Sequence, residues 1–316
     1  MGFPRLIFIE GLPGSGKSTT TQQLWLHLES LGREARWWYE HDAGHPVILY
    51  NRAVAARDSD APDATAIFAR ALDGWTAVAA QLRDGGPTML FEGTLLQTVM
   101  GTQLLMDRPR AEMITQFDRT MEILAPLHPV LIDLRPGAAD VALRWAVAAR
   151  PWFEELLVND FARCVRGRRI GRSDLGVIVE YCAERCAISN ELVARFPGRT
   201  LVHDNADRDW GRQRRAVCDF LGLPPMAPPA PPERAADYEG CFRATTTTDQ
   251  ITVASDAAGL HLTGDQPMLL LPHGRDRFVI ESMAVELTFE RGTDGRVAGF
   301  RSPASIDGMP PHWLKV

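Results

Sequence analysis

Hydrophobic positions follow one rhythm over the first two thirds of the chain and another over the last third. Short apolar runs recur at residues 6–10, 35–40, 88–92, 130–134 and 200–203. They are rich in Val, Ile, Leu, Phe or Trp and mostly do not alternate with polar residues, which predicts strands covered on both faces. Between them, apolar residues return at helical spacing. Leu24, Leu28 and Leu31 share a face ahead of Gly32. Phe68, Leu72, Trp75, Val78 and Leu82 share another, with Pro62 near its start and Gly85 and Gly86 at its end. Met113, Phe117, Met121 and Leu124 line a third. Further helices are predicted over 138–150, stopped by Pro151, from an N-cap at Ser173 to Phe196, and over 209–221, stopped by Gly222. Five strands with intervening helices predict an α/β fold, a doubly wound five-stranded parallel sheet.

The pattern changes after Leu223. Residues 224–232 read PPMAPPAPP, a composition that predicts a semi-rigid linker. Beyond it, from about Tyr238 to Pro303, short apolar stretches are separated by turn signals at Ala258-Gly259, Gly264-Asp265, His273-Gly274 and Asp294-Gly295. The expected organisation is a larger domain over 1–223, a linker over 224–233 and a second, smaller antiparallel β domain over 234–316.

Composition narrows the function classes. The 316 residues are 45% apolar and 23% charged, with a net charge of −6. The acidic balance excludes a global basic footprint for nucleic acid, so no nucleic-acid partner is expected. The apolar run 6–9 is too short for a signal-peptide core or a bilayer span. No membrane partner is expected and the expected location is cytoplasmic. Cys164, Cys182, Cys186, Cys218 and Cys241 are odd in number and lack CxxC spacing, which fits reduced thiols rather than a disulfide framework or a metal site.

The first apolar run leads straight into Gly11-Leu12-Pro13-Gly14-Ser15-Gly16-Lys17-Ser18-Thr19. This matches G-x-x-x-x-G-K-[ST] at every fixed position, between a strand and a helix with an apolar face. Gly11, Gly14 and Gly16 let main-chain amides turn toward phosphate oxygens. Lys17 supplies a point charge, the Ser18 hydroxyl a ligand for Mg²⁺, and the helix N-terminus a favourable dipole. ATP and Mg²⁺ are therefore the expected cofactors.

Residues 8–19, FIEGLPGSGKST, resemble the opening of thymidylate kinases and deoxynucleoside kinases, which share the acid before the first loop glycine and a second hydroxyl residue after the loop serine. The stretches 129–134 with 142–144, and 201–207, resemble the fourth strand and the adenine-side loop of thymidylate kinases. The opening and His45-Pro46-Val47 also resemble a bacterial group of P-loop proteins with no assigned activity. The kinase resemblance implies a central P-loop strand and an acceptor site beyond the C-terminal strand ends. It implies a base toward the accepting hydroxyl at Glu40 or Asp42, in the cluster Glu40-His41-Asp42. It implies that Glu92 faces Mg²⁺ and its waters, and that Asp204 borders the nucleotide base. It further implies an arginine-rich lid, to which Arg163, Arg166, Arg168, Arg169 and Arg172 correspond. In the related families an arginine follows the acid aligned with Glu92; here Gly93-Thr94 follows, which points away from a standard nucleoside acceptor.

The expected activity is an ATP- and Mg²⁺-dependent phosphotransferase acting on a hydroxyl of a small-molecule phosphate acceptor, such as a nucleoside, nucleotide, antibiotic or other metabolite. A nucleotide-binding switch or regulatory ATPase without an acceptor is the alternative. Trp37, Trp38 and Tyr39 either stack on substrate or pack the strand. Asp107 and Arg108 reach the acceptor pocket or form surface ion pairs. The C-terminal segment resembles β modules appended to β-lactamase-like serine hydrolases, which implies a structural or interaction role; homodimerisation is a further expectation.

Overall fold

A computed structural model describes residues 2–40, 42, 44–48, 63–150, 152–227, 232, 234–264, 267–302 and 310–316. His41, Pro62, Pro151, Asp265, Pro303 and half of the linker, residues 228–231 and 233, lie outside the described residues. The chain divides into two compact units, Met1–Thr21 with His27–Met226, and Gln22–Leu26 with Ala227–Val316.

The first unit holds a five-stranded sheet in the order β2-β3-β1-β4-β5. Its strands are β1 (Leu6–Gly11), β2 (Ala35–Trp38), β3 (Thr88–Glu92), β4 (Val130–Arg135) and β5 (Arg199–Asp204). Every pairing is parallel, so the strand that feeds the glycine-rich loop is central. Leu6, Ile7, Phe8 and Ile9 are fully buried, as are the five residues of β3, which accounts for their lack of alternation. The ring of Phe8 meets Trp75 edge-on at 5.6 Å, and Trp75 meets Phe91 at 5.1 Å. Each such pair adds about 0.5–1.5 kcal/mol beyond the area it buries.

The helices are α1 (Lys17–Ser30), α2 (Ala64–Arg83), α3 (Gly101–Leu105), α4 (Arg110–Leu124), α5 (Ala139–Ala149), α6 (Trp152–Arg163), α7 (Val165–Ile170), α8 (Leu175–Arg195) and α9 (Trp210–Leu221). The expected faces of α2 and α4 meet: Trp75, Val78 and Leu82 share a core with Met113, Phe117 and Met121. Three features differ from the sequence expectation. Strand β2 stops at Trp38, because the Asp42 carboxylate accepts from the Tyr39 N–H at 3.1 Å and turns the chain. The N-cap of α8 is Asp174 rather than Ser173, its carboxylate accepting from the Val177 N–H at 2.9 Å. Between β3 and α3 the chain forms a π-helix, Thr94–Met100, which the apolar run gives no sign of.

The second unit is a closed barrel of eight antiparallel strands in chain order: β6 (Gly240–Ala244), β7 (Gln250–Asp256), β8 (Gly259–Thr263), β9 (Met268–Pro272), β10 (Arg277–Ile280), β11 (Glu286–Arg291), β12 (Val297–Arg301) and β13 (His312–Lys315). Here alternation is visible, as in the buried Leu260 and Leu262 of β8 and the buried Leu287 and Phe289 of β11. Phe242, Phe278, Phe289, Phe300 and Trp313 belong to one buried cluster. Side chains therefore fill the interior, as is usual at this strand number. Tyr238 and Arg291 both hydrogen-bond the Asp276 carboxylate, at 2.9 Å and 2.7 Å. Among the described residues, no helix is long and apolar enough to cross a membrane.

Candidate active site

The loop joining β1 to α1 lies tightly against its surroundings. A Cβ on Gly11 would fall 2.5 Å from the Leu134 carbonyl oxygen, and one on Gly16, at φ +82, only 2.3 Å from the Trp210 ring. Pro13 sits in the turn closed by the Ser15 N–H donating to the Leu12 carbonyl at 3.1 Å. No side chain caps the first turn of α1. Ser15 Oγ is buried without a hydrogen-bond partner, and Lys17 is 6% exposed. Thr19 follows, half-buried, in the first turn. An uncapped helix start, a buried lysine and a loop in which only glycine fits together make an anion cradle. These residues fit a nucleotide triphosphate.

Acidic groups crowd the C-terminal ends of the three central strands. Glu92 on β3 is level with Ile9, and Glu10 on β1 is level with Asp133 on β4. Glu92 is fully buried; it accepts from Ser18 Oγ and, at 3.2 Å, from Trp37 Nε1. Burial, then the neighbouring Glu40, push its carboxyl upward against the lowering effects of Lys17 and the two hydrogen bonds. A hydroxyl and a carboxylate in contact form a hard oxygen pair that suits Mg²⁺, which commonly takes one or two protein oxygens beside phosphates and water. Among the described residues no group of three or more His, Cys, Asp or Glu could hold a metal.

Glu10 holds the segment that follows. Its two carboxylate oxygens accept from the N–H groups of Leu95, at 2.6 Å, and Gln97, at 3.0 Å. The acid thus anchors the first turn of the π-helix. Burial raises its carboxyl to about 7, against the lowering effect of those amides and of Lys17. The Gln97 side-chain amide then donates to Glu40 Oε2, while Gln97 Oε1 is buried with no partner. Gly93 turns the chain between Glu92 and Thr94 at φ +56. A Cβ there would lie 3.0 Å from Lys17 Cε and 3.1 Å from Glu40 Oε2. This gives Gly93 a physical reason: Lys17 and Glu40 fill the space beside it.

Lys17, Ser18, Glu40 and Glu92 are therefore brought together. Asp42 closes the turn after β2, and Tyr39, whose hydroxyl burial pushes up, stands near both Glu40 and Arg150. Trp37 and Trp38 are buried, each 6% exposed; Trp37 orients Glu92 and Trp38 stacks on Phe91. His45 is also buried. Its Nδ1 accepts from the Val47 and Ile48 N–H groups, so the ring proton sits on Nε2, 3.3 Å from Thr94 Oγ1. Burial, with Arg36 nearby, lowers it to about 3 and keeps the ring neutral. Asp204 ends β5, its carboxylate accepting from the Ala206 N–H at 2.9 Å to shape the loop.

The arginines of the run are paired, and all but Arg172 lie in helices. Arg163 donates to Asp160 at 2.9 Å, Arg168 to the Arg163 carbonyl, and Arg172 to Glu180 at 3.2 Å and Asp174 at 3.4 Å. Arg166 pairs with Glu184 and Arg169 with Asp107. Asp107 and Arg108 form ion pairs, the latter with Glu112. All five cysteines are free, and burial raises the thiols of Cys182 and Cys186.

A cavity of about 230 Å³ opens beside the start of the loop. Leu12, Gln97, Asp133, Arg135, Arg185 and Asn190 are in its wall. Sequence alone does not single out Gln97 or Arg185. Glu10 is marked in the sequence as the acid before the first loop glycine, but its grip on Leu95 and Gln97 is not.

No protein-family model matches the chain, and no curated protein matches it. Solved structures similar to it include the deoxyadenosine kinase of M. mycoides with bound dATP, at 18% identity and a TM-score of 0.43, over 69% of this chain and 99% of that chain. The same enzyme with bound dCTP matches at 18% identity and a TM-score of 0.37, over 68% of this chain and 98% of that chain.

Proposed function

We propose that the first unit is a phosphotransferase that uses ATP and Mg²⁺ to phosphorylate a hydroxyl of a small molecule. The observation that carries this reading is the meeting of Lys17, Ser18, Glu40 and Glu92 at an uncapped helix start. In this reading the amides of residues 11–19 and Lys17 hold the triphosphate, and Ser18 with Glu92 holds Mg²⁺, which neutralises charge on the phosphates. Glu40 is the base, oriented by Gln97 and placed beside Lys17. In the transfer a P–O bond forms at the acceptor oxygen, the β–γ bridging P–O bond breaks, ADP leaves with that electron pair, and the hydroxyl proton goes to Glu40. Asp42 serves as the staple of the turn that carries Glu40. Asp204 shapes the loop on the adenine side. Arg163, Arg168 and Arg172 form a lid that exchanges its present partners for phosphate oxygens. The barrel is a structural or interaction module.

The reading is tested by ADP release from the purified chain with ATP, Mg²⁺ and a metabolite panel. Acceptor-dependent release supports it. Turnover at the same rate with and without every acceptor rejects it.

A further inference from the structure

Arg185 is 8% exposed, sits on α8 and lines the cavity beside the loop. Burying a guanidinium without a counter-charge is costly, so such groups normally face a carboxylate. Among the described residues none forms an ion pair with Arg185. Asp133 shares the cavity, but its carboxylate is engaged by Arg135 at 2.8 Å. Arg185 hydrogen-bonds the Tyr181 side chain and also feels Cys182 and Cys186. Burial raises all three, so they are neutral at ordinary pH and cannot supply the missing charge.

A second unmet requirement lies in the same wall. Gln97 Oε1 is a buried acceptor with no donor, while the amide nitrogen of the same side chain holds Glu40. The cavity wall thus carries one guanidinium with no ion pair among the described residues, at α8, and one side chain, next to Glu40, whose buried oxygen lacks a donor. Gly11 and Leu12, from the loop between β1 and α1, also line the cavity, so it adjoins that loop. A neutral acceptor would leave Arg185 unmatched. A phosphate dianion would bring one charge too many beside Asp133, Glu40 and Glu92.

We propose that this cavity is the acceptor site and that Arg185 selects a singly charged, hydroxyl-bearing carboxylic acid. The carboxylate pairs with Arg185, and the hydroxyl donates to Gln97 Oε1 before passing its proton to Glu40. The inference rests on the transferase reading above, and the cavity volume restricts the acceptor to a small molecule.

The test uses the full chain with ATP and Mg²⁺ and reads both ADP release and calorimetric binding. The panel contains small hydroxyl-bearing monocarboxylic acids, the primary amides of the same molecules, neutral nucleosides and a nucleoside monophosphate. The expected result is ADP release with one or more of the acids. For that acid, kcat/KM falls roughly 10- to 100-fold on conversion to the amide, and by a similar factor in Arg185→Met. Arg185→Lys keeps the charge and recovers part of the loss. Melting curves and ATP affinity show whether each variant is folded. Release with a nucleoside or the monophosphate but with none of the acids overturns the inference and leaves the transferase reading intact. Acid binding that disappears in Arg185→Met, with no ADP release from any acceptor, upholds the anion site and overturns the transferase reading. Absence of binding by every acid overturns the inference.

Discussion

The two units treat charge away from open solvent in opposite ways, half-buried in one and fully buried in the other. In the barrel, Asp276 is matched by Arg291 and Tyr238, and the pairing holds its carboxyl below the usual range. In the first unit, Glu10 and Glu92 are pushed up by burial, and Arg185 forms no ion pair among the described residues. A matched charge is a structural part. An unmatched charge costs stability that packing elsewhere must offset, and it persists where a ligand supplies the missing partner. The difference separates a unit built to stand alone from one built to be completed.

The sharpest way to break this comparison is Lys17→Ala. Acceptor-dependent ADP release should fall about 10³-fold, the scale expected on removing a preorganised charge from a transition state. Unchanged turnover in a coupled assay would end the functional reading of the first unit.

The next effect is a pH dependence set by Glu10. Its folded value, about 7, lies above the ordinary 4.5. Between those values the folded state keeps a proton that the unfolded chain releases, so stability declines as pH rises through that window. The loss is roughly 3 kcal/mol, because each tenfold difference in proton affinity between the two states is worth about 1.4 kcal/mol. Calorimetric scans of Glu10→Gln should show a flatter decline than the parent; an identical slope would assign the titration elsewhere. Asp276 has the reverse sign. Its contribution is full above the unfolded value and disappears as pH falls through the depressed folded one.

Arg291→Met should cost the barrel about 2 kcal/mol, because it removes the guanidinium from Asp276 and leaves that carboxylate only the Tyr238 hydroxyl. Denaturant unfolding followed by the fluorescence of Trp313 reports it, and ADP release should not respond. If turnover falls with stability, the two units are energetically inseparable and the contrast weakens. The smallest effect belongs to Asp204→Ala, which removes one turn-shaping hydrogen bond. A rise in KM for ATP of a fewfold, about 0.5–1 kcal/mol, is expected, with kcat maintained.

Much of the first unit is legible from sequence, because its strands are buried on both faces and therefore read as continuous apolar runs. The glycine-rich loop after β1 is equally legible, since its glycines, lysine and serine are tied to fixed offsets. What stays hidden depends on partners distant in the chain. The arginine run has no acid within its own ten residues, and its carboxylates arrive from Asp107, Glu180 and Glu184. Residues 94–100 read TLLQTVM, and their π-helix emerges only once Glu10 grips its amides. Gln97 looks like an ordinary polar residue until its two ends are seen, one on Glu40 and the other unfilled. Strand β13 lies past the last turn signal, and its identity as a strand follows from pairing with β6 and β12.

That last pairing affects how the barrel acquires its shape. Each of its other ladders joins strands that follow one another in the chain, so hairpins can zip locally and at small entropic cost. Among the described strands, the β6–β13 seam alone must wait for distant segments to find each other, and it abolishes both sheet edges at once. Because the first and last strands are neighbours, a linker across that seam and a new opening in an exposed hairpin tip would preserve every ladder. The barrel is accordingly a good substrate for circular permutation, and the seam is where a permuted chain would fold at a different speed.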